Sequence, residues 1–349
     1  MAKRFIPGGS ELLEHEGLTT TIAQWEDGQR AAVTRGFFEW WYFDAHFDDG
    51  STAVIVFLTK PLVEYNGPLK PGLEFTLTRS DGSRLPSRRL YPADQFRAAQ
   101  DRCDVKLGPN WACGDLHRYE VHAENDSMAA DLVFTGEVPA WRSGNGKTYY
   151  DDSYERYSGW MPAIPFGYVE GTLTYDGQTR RVRGTGYHDH NWGNIGLNEI
   201  LSHWYWGRAH VGDFSTIFVE MNGPKAYGRY RYPVFMLAKG DRILIGDGAP
   251  LRLDIGDVVP HASGRSFPRR LDFHWESDGG HVQLALREPR IIEATSLLAF
   301  LPKWQQRFVR LVANPYYFRF MSQLTLEVDL PGVRATEQGE ALFEIMLLR

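Results

Sequence analysis

Trp40 to Val56 reads WWYFDAHFDDGSTAVIV, and a kindred pattern, WYWGRAHVGDFSTIFVE, runs from Trp204 to Glu220. Laid over one another without a gap, at an offset of 164, the two share Trp40/Trp204, Ala45/Ala209, His46/His210, Asp49/Asp213, Ser51/Ser215 and Thr52/Thr216. Each reads as an aromatic strand, a polar turn and a β-branched strand, the pattern of a hairpin. An offset near half of the 349-residue chain is what duplication of one β domain gives. The boundary is therefore placed after Gly193-Asn194-Ile195-Gly196, giving domains over 1–196 and 197–349, and the length itself fits two domains.

Working outward, most segments alternate at period two. Ser51 to Leu58 is nearly all apolar, as a strand buried on both faces would be, while Tyr119 to His122 and Asp131 to Thr135 are shorter and half-buried. Turn signals recur at Asp48-Asp49-Gly50, Ser80-Asp81-Gly82, Asp176-Gly177, Gly212-Asp213 and Asp278-Gly279-Gly280. The expected fold class is all-β, with two antiparallel barrel or sandwich domains. One segment departs from this. Leu297, Leu298, Leu301, Trp304, Phe308, Leu311 and Val312 recur at three- and four-residue steps, which predicts a helix over Glu293 to Ala313 near the C-terminus. Its apolar face is expected to pack on a sheet, with peripheral membrane contact as the lesser reading.

Composition narrows the function classes. Lys and Arg total 38 against 44 Asp and Glu, and no block of like charge stands out, so nucleic acid is not an expected partner. No apolar run follows the basic start and none is long enough to span a bilayer, so the expectation is a cytoplasmic protein with no integral membrane segment. Cys103 and Cys113 flank the turn-like Leu107-Gly108-Pro109-Asn110, and two isolated thiols read as buried residues rather than a disulfide. Aromatic residues make up 14% of the chain, including 11 Trp, which points to pockets as well as to core.

Three stretches carry candidate chemistry. Gly184-Thr185-Gly186-Tyr187-His188-Asp189-His190-Asn191-Trp192-Gly193-Asn194 would, as a strand, set Tyr187, Asp189 and Asn191 on one side and His188, His190 and Trp192 on the other. That surface suits a metal pair lacking a third ligand, acid–base catalysis, or a hydrogen-bonded polar hinge. His203, His210 and Glu220 could complete a metal site only if folding brought them near. In Phe37-Phe38-Glu39-Trp40-Trp41-Tyr42-Phe43-Asp44, six of eight residues are aromatic, and the repeat mate is Ser202-His203-Trp204-Tyr205-Trp206-Gly207-Arg208. Such strands serve either as core or as the wall of a ligand pocket, where π faces also stabilise a passing cation. The Tyr-rich stretch from Lys147 to Pro162 reads as a long loop, either a lid or a linker. Nothing matches a phosphate loop, a dinucleotide fingerprint or a nucleophile elbow.

Glu39-Trp40-Trp41-Tyr42-Phe43-Asp44, the run Gly184 to Gly193, and Val105-Lys106-Leu107-Gly108-Pro109-Asn110-Trp111 resemble the hydroxyneurosporene synthase family. This group comprises the carotenoid 1,2-hydratases and AttH-like proteins, and fungal lipocalin-like Diels-Alderases are similar in organisation. The resemblance covers Arg35 to Gly223 and implies two lipocalin-like β domains with a pocket at or near their junction. In the hydratases an acid protonates an isoprenoid double bond and water captures the cation. The resemblance implies that role for His190 and Trp192, with a Tyr-x-Asp pair on the following domain. Here the chain departs from the family, because the nearest match is Phe218-Val219-Glu220.

The expectation is a cofactor-independent enzyme without a metal, acting on a hydrophobic polyene, isoprenoid or polyketide-derived small molecule by hydration, cyclisation or isomerisation. His190, Trp192, Asp189 and Glu220 are its candidate catalytic residues. Trp41, Trp160, His188, Trp204 and Trp206 are candidates for shaping the substrate pocket. The alternative is a non-catalytic carrier of a lipophilic ligand.

Overall fold

Along Phe38–Phe47, alternation places buried Glu39, Trp41, Phe43, Ala45 and Phe47 on one face, and half-buried Trp40, Tyr42 and His46 with buried Phe38 and Asp44 on the other. The same rule governs nearly the whole chain. The computed structural model describes residues 3–61, 64–125, 127–300 and 314–349, and within them the regular secondary structure is nearly all β-strand. It divides into two compact units, Arg4–Gly196 and Leu197–Arg349, the latter joined by Lys3.

In the first unit the strands lie in the order Arg84–Leu90, Gly72–Thr78, Thr52–Leu58, Phe38–Phe47, Gln178–Gly193, Tyr157–Tyr175, Ala129–Gly136, Arg118–Glu124, Asn110–Gly114, Cys103–Leu107 and Phe96–Ala98. Leu73, Phe75 and Leu77 near one end and Val105, Leu107 and Ala112 near the other belong to one buried cluster, so the sheet curls around its own core. The second unit is wired alike: Arg242–Ile245, Arg231–Lys239, Phe214–Asn222, His203–Val211, Val333–Leu347, Tyr316–Leu330, Gly280–Ser296, Ser266–Ser277 and Leu251–Pro260. In each, the first aromatic strand is hydrogen-bonded to the last strand of its unit.

The repeat is real in wiring but slips at the turn. Ala45 faces Ala53, whereas its mate Ala209 faces Thr216, so Thr216 stands where Ala53 does. The first hairpin spends one residue more on its turn than Gly212-Asp213 does, and the ungapped alignment is therefore one residue out along the second strand. Since neighbours alternate faces, Ser51/Ser215 and Thr52/Thr216 are identities of sequence and not of position. Asp176 and Gly177, with φ of 52° and 70°, make the two-residue turn that closes the longest hairpin.

Three local expectations differ from the structure. Ser51 to Leu58 is not buried on both faces, since Thr52–Leu58 alternates between buried and half-buried positions. The helix expected over Glu293 to Ala313 begins instead as strand, because Gly280–Ser296 runs on through pairing of Thr295 with Tyr317; a short 3-10 turn, Leu297–Phe300, follows, and residues 301–313 lie outside the described residues. Cross-strand pairing overrides the three-and-four spacing there. The supposed long loop from Lys147 to Pro162 is mostly strand, since Lys147–Tyr149 pairs with Tyr157 to Gly159. Cys103 and Cys113 are free thiols on adjacent strands. Among the described residues no helix is long and apolar enough to cross a membrane.

Candidate active site

Gln178–Gly193 lies between Phe38–Phe47 and Tyr157–Tyr175, and its end carries two different polar clusters on its two faces. Inward, His188 and His190 are fully buried and Trp192 is 5% exposed. Phe43 stacks flat on His188 with centroids 4.0 Å apart, Trp41 stacks on His190 at 4.7 Å, and Trp192 tilts against His190 at 4.9 Å. The polar partners are two buried carboxylates. Glu39 takes the His190 Nε2 contact at 2.9 Å and accepts the backbone amides of Arg30 and Ala31. Asp27, at the end of the 3-10 turn Gln24–Asp27, lies 3.1 Å from His188 Nε2 and accepts the Tyr119 hydroxyl at 2.6 Å. Burial, reinforced by Asp27, pushes the Tyr119 phenol well above its ordinary value. The turn is pinned from two sides: the Trp41 indole donates to the Asp27 carbonyl, and Arg142 pairs with buried Glu26 at 2.9 Å.

Outward, the same strand presents Asp189 at 8% exposure. Its Oδ2 accepts the Tyr187 hydroxyl at 2.7 Å and the Trp160 indole N–H at 2.9 Å, while Oδ1 accepts the Asn191 amide at 2.7 Å. Tyr42 stands directly opposite Asp189 and Trp40 opposite Asn191, so both project from the same face. Trp40, Tyr42, Trp160 and Asn191 are half-buried around Asp189, and the fully buried Asp44 stands opposite Tyr187 on the same face. Burial raises the Asp189 pKa above the ordinary Asp value, outweighing its three hydrogen bonds. The neighbouring strand loses ladder regularity here, because Pro162 and Pro165 have no N–H to give and pairing shifts between Pro162, Ile164 and Gly167. Irregularity of this kind re-aims side chains beside a site.

The remaining sequence candidates lie in the second unit. Trp204 and Trp206 are half-buried on the face of His203–Val211 opposite to Tyr205. Glu220 faces Tyr205, is 5% exposed, and is held by the Arg231 guanidinium and the Asn222 amide. Burial, then Glu220, pushes the Tyr205 phenol up to about 12. The structure thus gathers Trp41, His188, His190 and Trp192 in one enclosed cluster and Asp189 with Trp160 in a second, half-open one. Asp27 and the Tyr119 hydroxyl escaped sequence reasoning, while Tyr187 was placed on the Asp189 face and Cys103 was read as a buried thiol, neither with a role in the site. Glu39 carried a usable signal, because strict alternation put its carboxylate on the same face as Trp41 and Phe43, where only a paired charge survives.

Comparison with known proteins gives consistent relatives. The quinolone epoxide rearrangement protein asqO of Emericella nidulans is 24% identical over 288 residues, 73% of this chain and 74% of the relative. A hydroxyneurosporene dehydrogenase of Chlorobaculum tepidum is 38% identical over 141 residues, 38% of this chain and 30% of that protein. The crystal structure of an AttH protein from Nitrosomonas europaea superposes with a TM-score of 0.62 at 15% identity, covering 95% of this chain and 97% of the other, a likeness of fold. The resemblance read from the two aromatic and histidine motifs therefore holds in sequence and in fold. The sequence model of the Svf1 family matches residues 87–347, most of both units, and the chain belongs to the Svf1 family.

Proposed function

We propose that this protein is an enzyme that isomerises a hydrophobic secondary metabolite by acid–base catalysis, with Asp189 as the proton-transfer group. The observation that carries this reading is the Asp189 carboxyl group, 8% exposed and raised in pKa by burial, on a half-buried aromatic face that also holds the fully buried Asp44 opposite Tyr187. A carboxylic acid so placed holds its proton closer to neutral pH than an ordinary Asp does, as a general acid requires. The asqO relative, named for rearranging a quinolone epoxide, supports an epoxide of that kind as the substrate class.

In this reading the Asp189 proton passes to the epoxide oxygen as one C–O bond breaks. The π faces of Trp160, Trp40 and Tyr42 stabilise the carbocation that results. A neighbouring group migrates with its electron pair, and loss of a proton back to the Asp189 carboxylate closes an isomerisation with no net redox change. Tyr187, Trp160 and Asn191 hold the carboxylate during the ionised phase. His190 and Trp192 act as positioning residues beneath the strand. Hydration or cyclisation would use the same acid with water or an internal alkene as the nucleophile.

Incubation with a quinolone epoxide, followed by chromatography and mass spectrometry, tests this. Product of unchanged mass is expected from the native chain, with loss of at least about 100-fold in turnover, but not in binding, for Asp189→Asn. Binding without product by the native chain would make it a carrier and overturn the proposal.

A further inference from the structure

The enclosed cluster contains an arrangement that the acid–base reading leaves unused. Asp27, Cys103 and His188 each offer one ligand-type atom, and these atoms lie within 4.8 Å of one another in the core. They come from the turn Gln24–Asp27, the strand Cys103–Leu107 and the strand Gln178–Gly193. His188 Nδ1 donates to the Tyr42 carbonyl at 2.9 Å, so in the neutral ring the lone pair sits on Nε2, the nitrogen 3.1 Å from Asp27.

His190 repeats this with its nitrogens exchanged. Nε2 is held by Glu39 at 2.9 Å, and Nδ1 is left 3.4 Å from Asp27 Oδ1. Both His190 Nδ1 and Asp27 Oδ1 are buried atoms that make no hydrogen bond. Two histidines whose outer N–H groups are fixed by a carbonyl and a carboxylate, and whose inner nitrogens both face Asp27, with the Cys103 thiol beside His188, have the outer-shell pattern of metal-bound imidazoles.

We propose that Asp27, Cys103, His188 and His190 form a closed binding site for a zinc-class divalent cation. The mixed N, O and S donor set suits a borderline-soft ion with tetrahedral preference. For Asp27, Cys103 and His188, separations of up to 4.8 Å would close by roughly 1–1.5 Å on bonds of about 2.0–2.3 Å, by side-chain adjustment. Cys103 binds by exchanging its thiol proton for the metal, and the proton is released to solvent. Four protein ligands leave no open position, so the ion ties three distant segments together and takes no part in turnover. The third and fourth ligands that a His-x-His strand lacks in the sequence are supplied here from residues 27 and 103.

Elemental analysis of the full chain, purified without chelator, is expected to give about one equivalent of metal per chain. Apo protein titrated with Co2+ is expected to show a thiolate charge-transfer band that is absent in Cys103→Ser, and dipicolinate is expected to lower the melting temperature of the native chain. Cys103→Ala, which keeps a small apolar group in the core, serves if the Ser variant does not fold. A folded native chain with less than about 0.1 equivalent of metal and no Co2+ band overturns the proposal, as does a band that persists in both Cys103 variants. Neither measurement depends on the substrate.

Discussion

Replacing Asp189 by Asn removes the acid while keeping its shape, and the hydrogen-bond geometry sets the expected sizes. Tyr187 and Trp160 both donate to Oδ2, so an Asn oxygen on that side keeps both bonds. The new NH2 then faces the Asn191 amide, which satisfies it by turning its own oxygen inward. Only the NH2 of half-buried Asn191 gives up its partner, and the stability change is expected to stay within about 1 kcal/mol. Asp189→Ala instead strands three donors, one of them on fully buried Tyr187, at a cost of roughly 2–4 kcal/mol. The pH dependence separates charge from shape. Because the folded-state pKa of Asp189 is raised, its contribution is fully present below the ordinary Asp range and is lost as pH rises through the folded value. Asn cannot ionise, so the stability of Asp189→Asn relative to the native chain should improve with rising pH through that window. Urea denaturation across the pH range reads both effects. An Asn variant several kcal/mol less stable at neutral pH would show that the charge itself holds the strand, and full turnover by that variant would end the case for Asp189 as acid.

Two further substitutions probe the support beneath the site. Arg142→Met leaves Glu26 as an unpaired carboxylate in the core, where both side chains are only 5% exposed, and should cost about 3–5 kcal/mol. Burial already raises the Glu26 pKa despite Arg142, so the penalty should shrink toward acid pH as the carboxyl takes up a proton; equal penalties at pH 4 and 8 in chemical denaturation would refute this. Gly159→Ala puts a Cβ 2.3 Å from the Trp192 indole, and calorimetry should record a loss of about 1–3 kcal/mol as the ring is forced off His190.

The face assignment of Tyr187 to Trp192 was legible because strand alternation is a two-residue rule, and the observed pairing places His188, His190 and Trp192 opposite to Asp189. The β class was legible from period-two alternation and recurring turn signals, whereas the strand order of each sheet was not, because the repeat covers a single hairpin. Asp27 was not, because it ends a 3-10 turn in an irregular segment, where no periodicity marks which side chain points inward. Cys103 sat in a recognisable hairpin, but its approach to His188 depends on the curl of the sheet, which pairing patterns in a single sequence do not encode. The start of the predicted helix failed for a related reason. Leu297 and Leu298 supply helical spacing, but the preceding residues have an open strand, Tyr316–Leu330, to pair with.

The one-residue slip between the two hairpins has a consequence for anyone exchanging parts of this chain. A chimera that joined the first strand of one unit to the second strand of the other, cut according to the sequence alignment, would turn every inward residue of the transplanted strand toward the wrong side. Glu220 occupies the place of Phe57, since Tyr205 faces Glu220 as Trp41 faces Phe57. The exchangeable module is therefore a whole hairpin carried with its own turn, and the turn lengths act as a lock that keeps the two units from trading single strands.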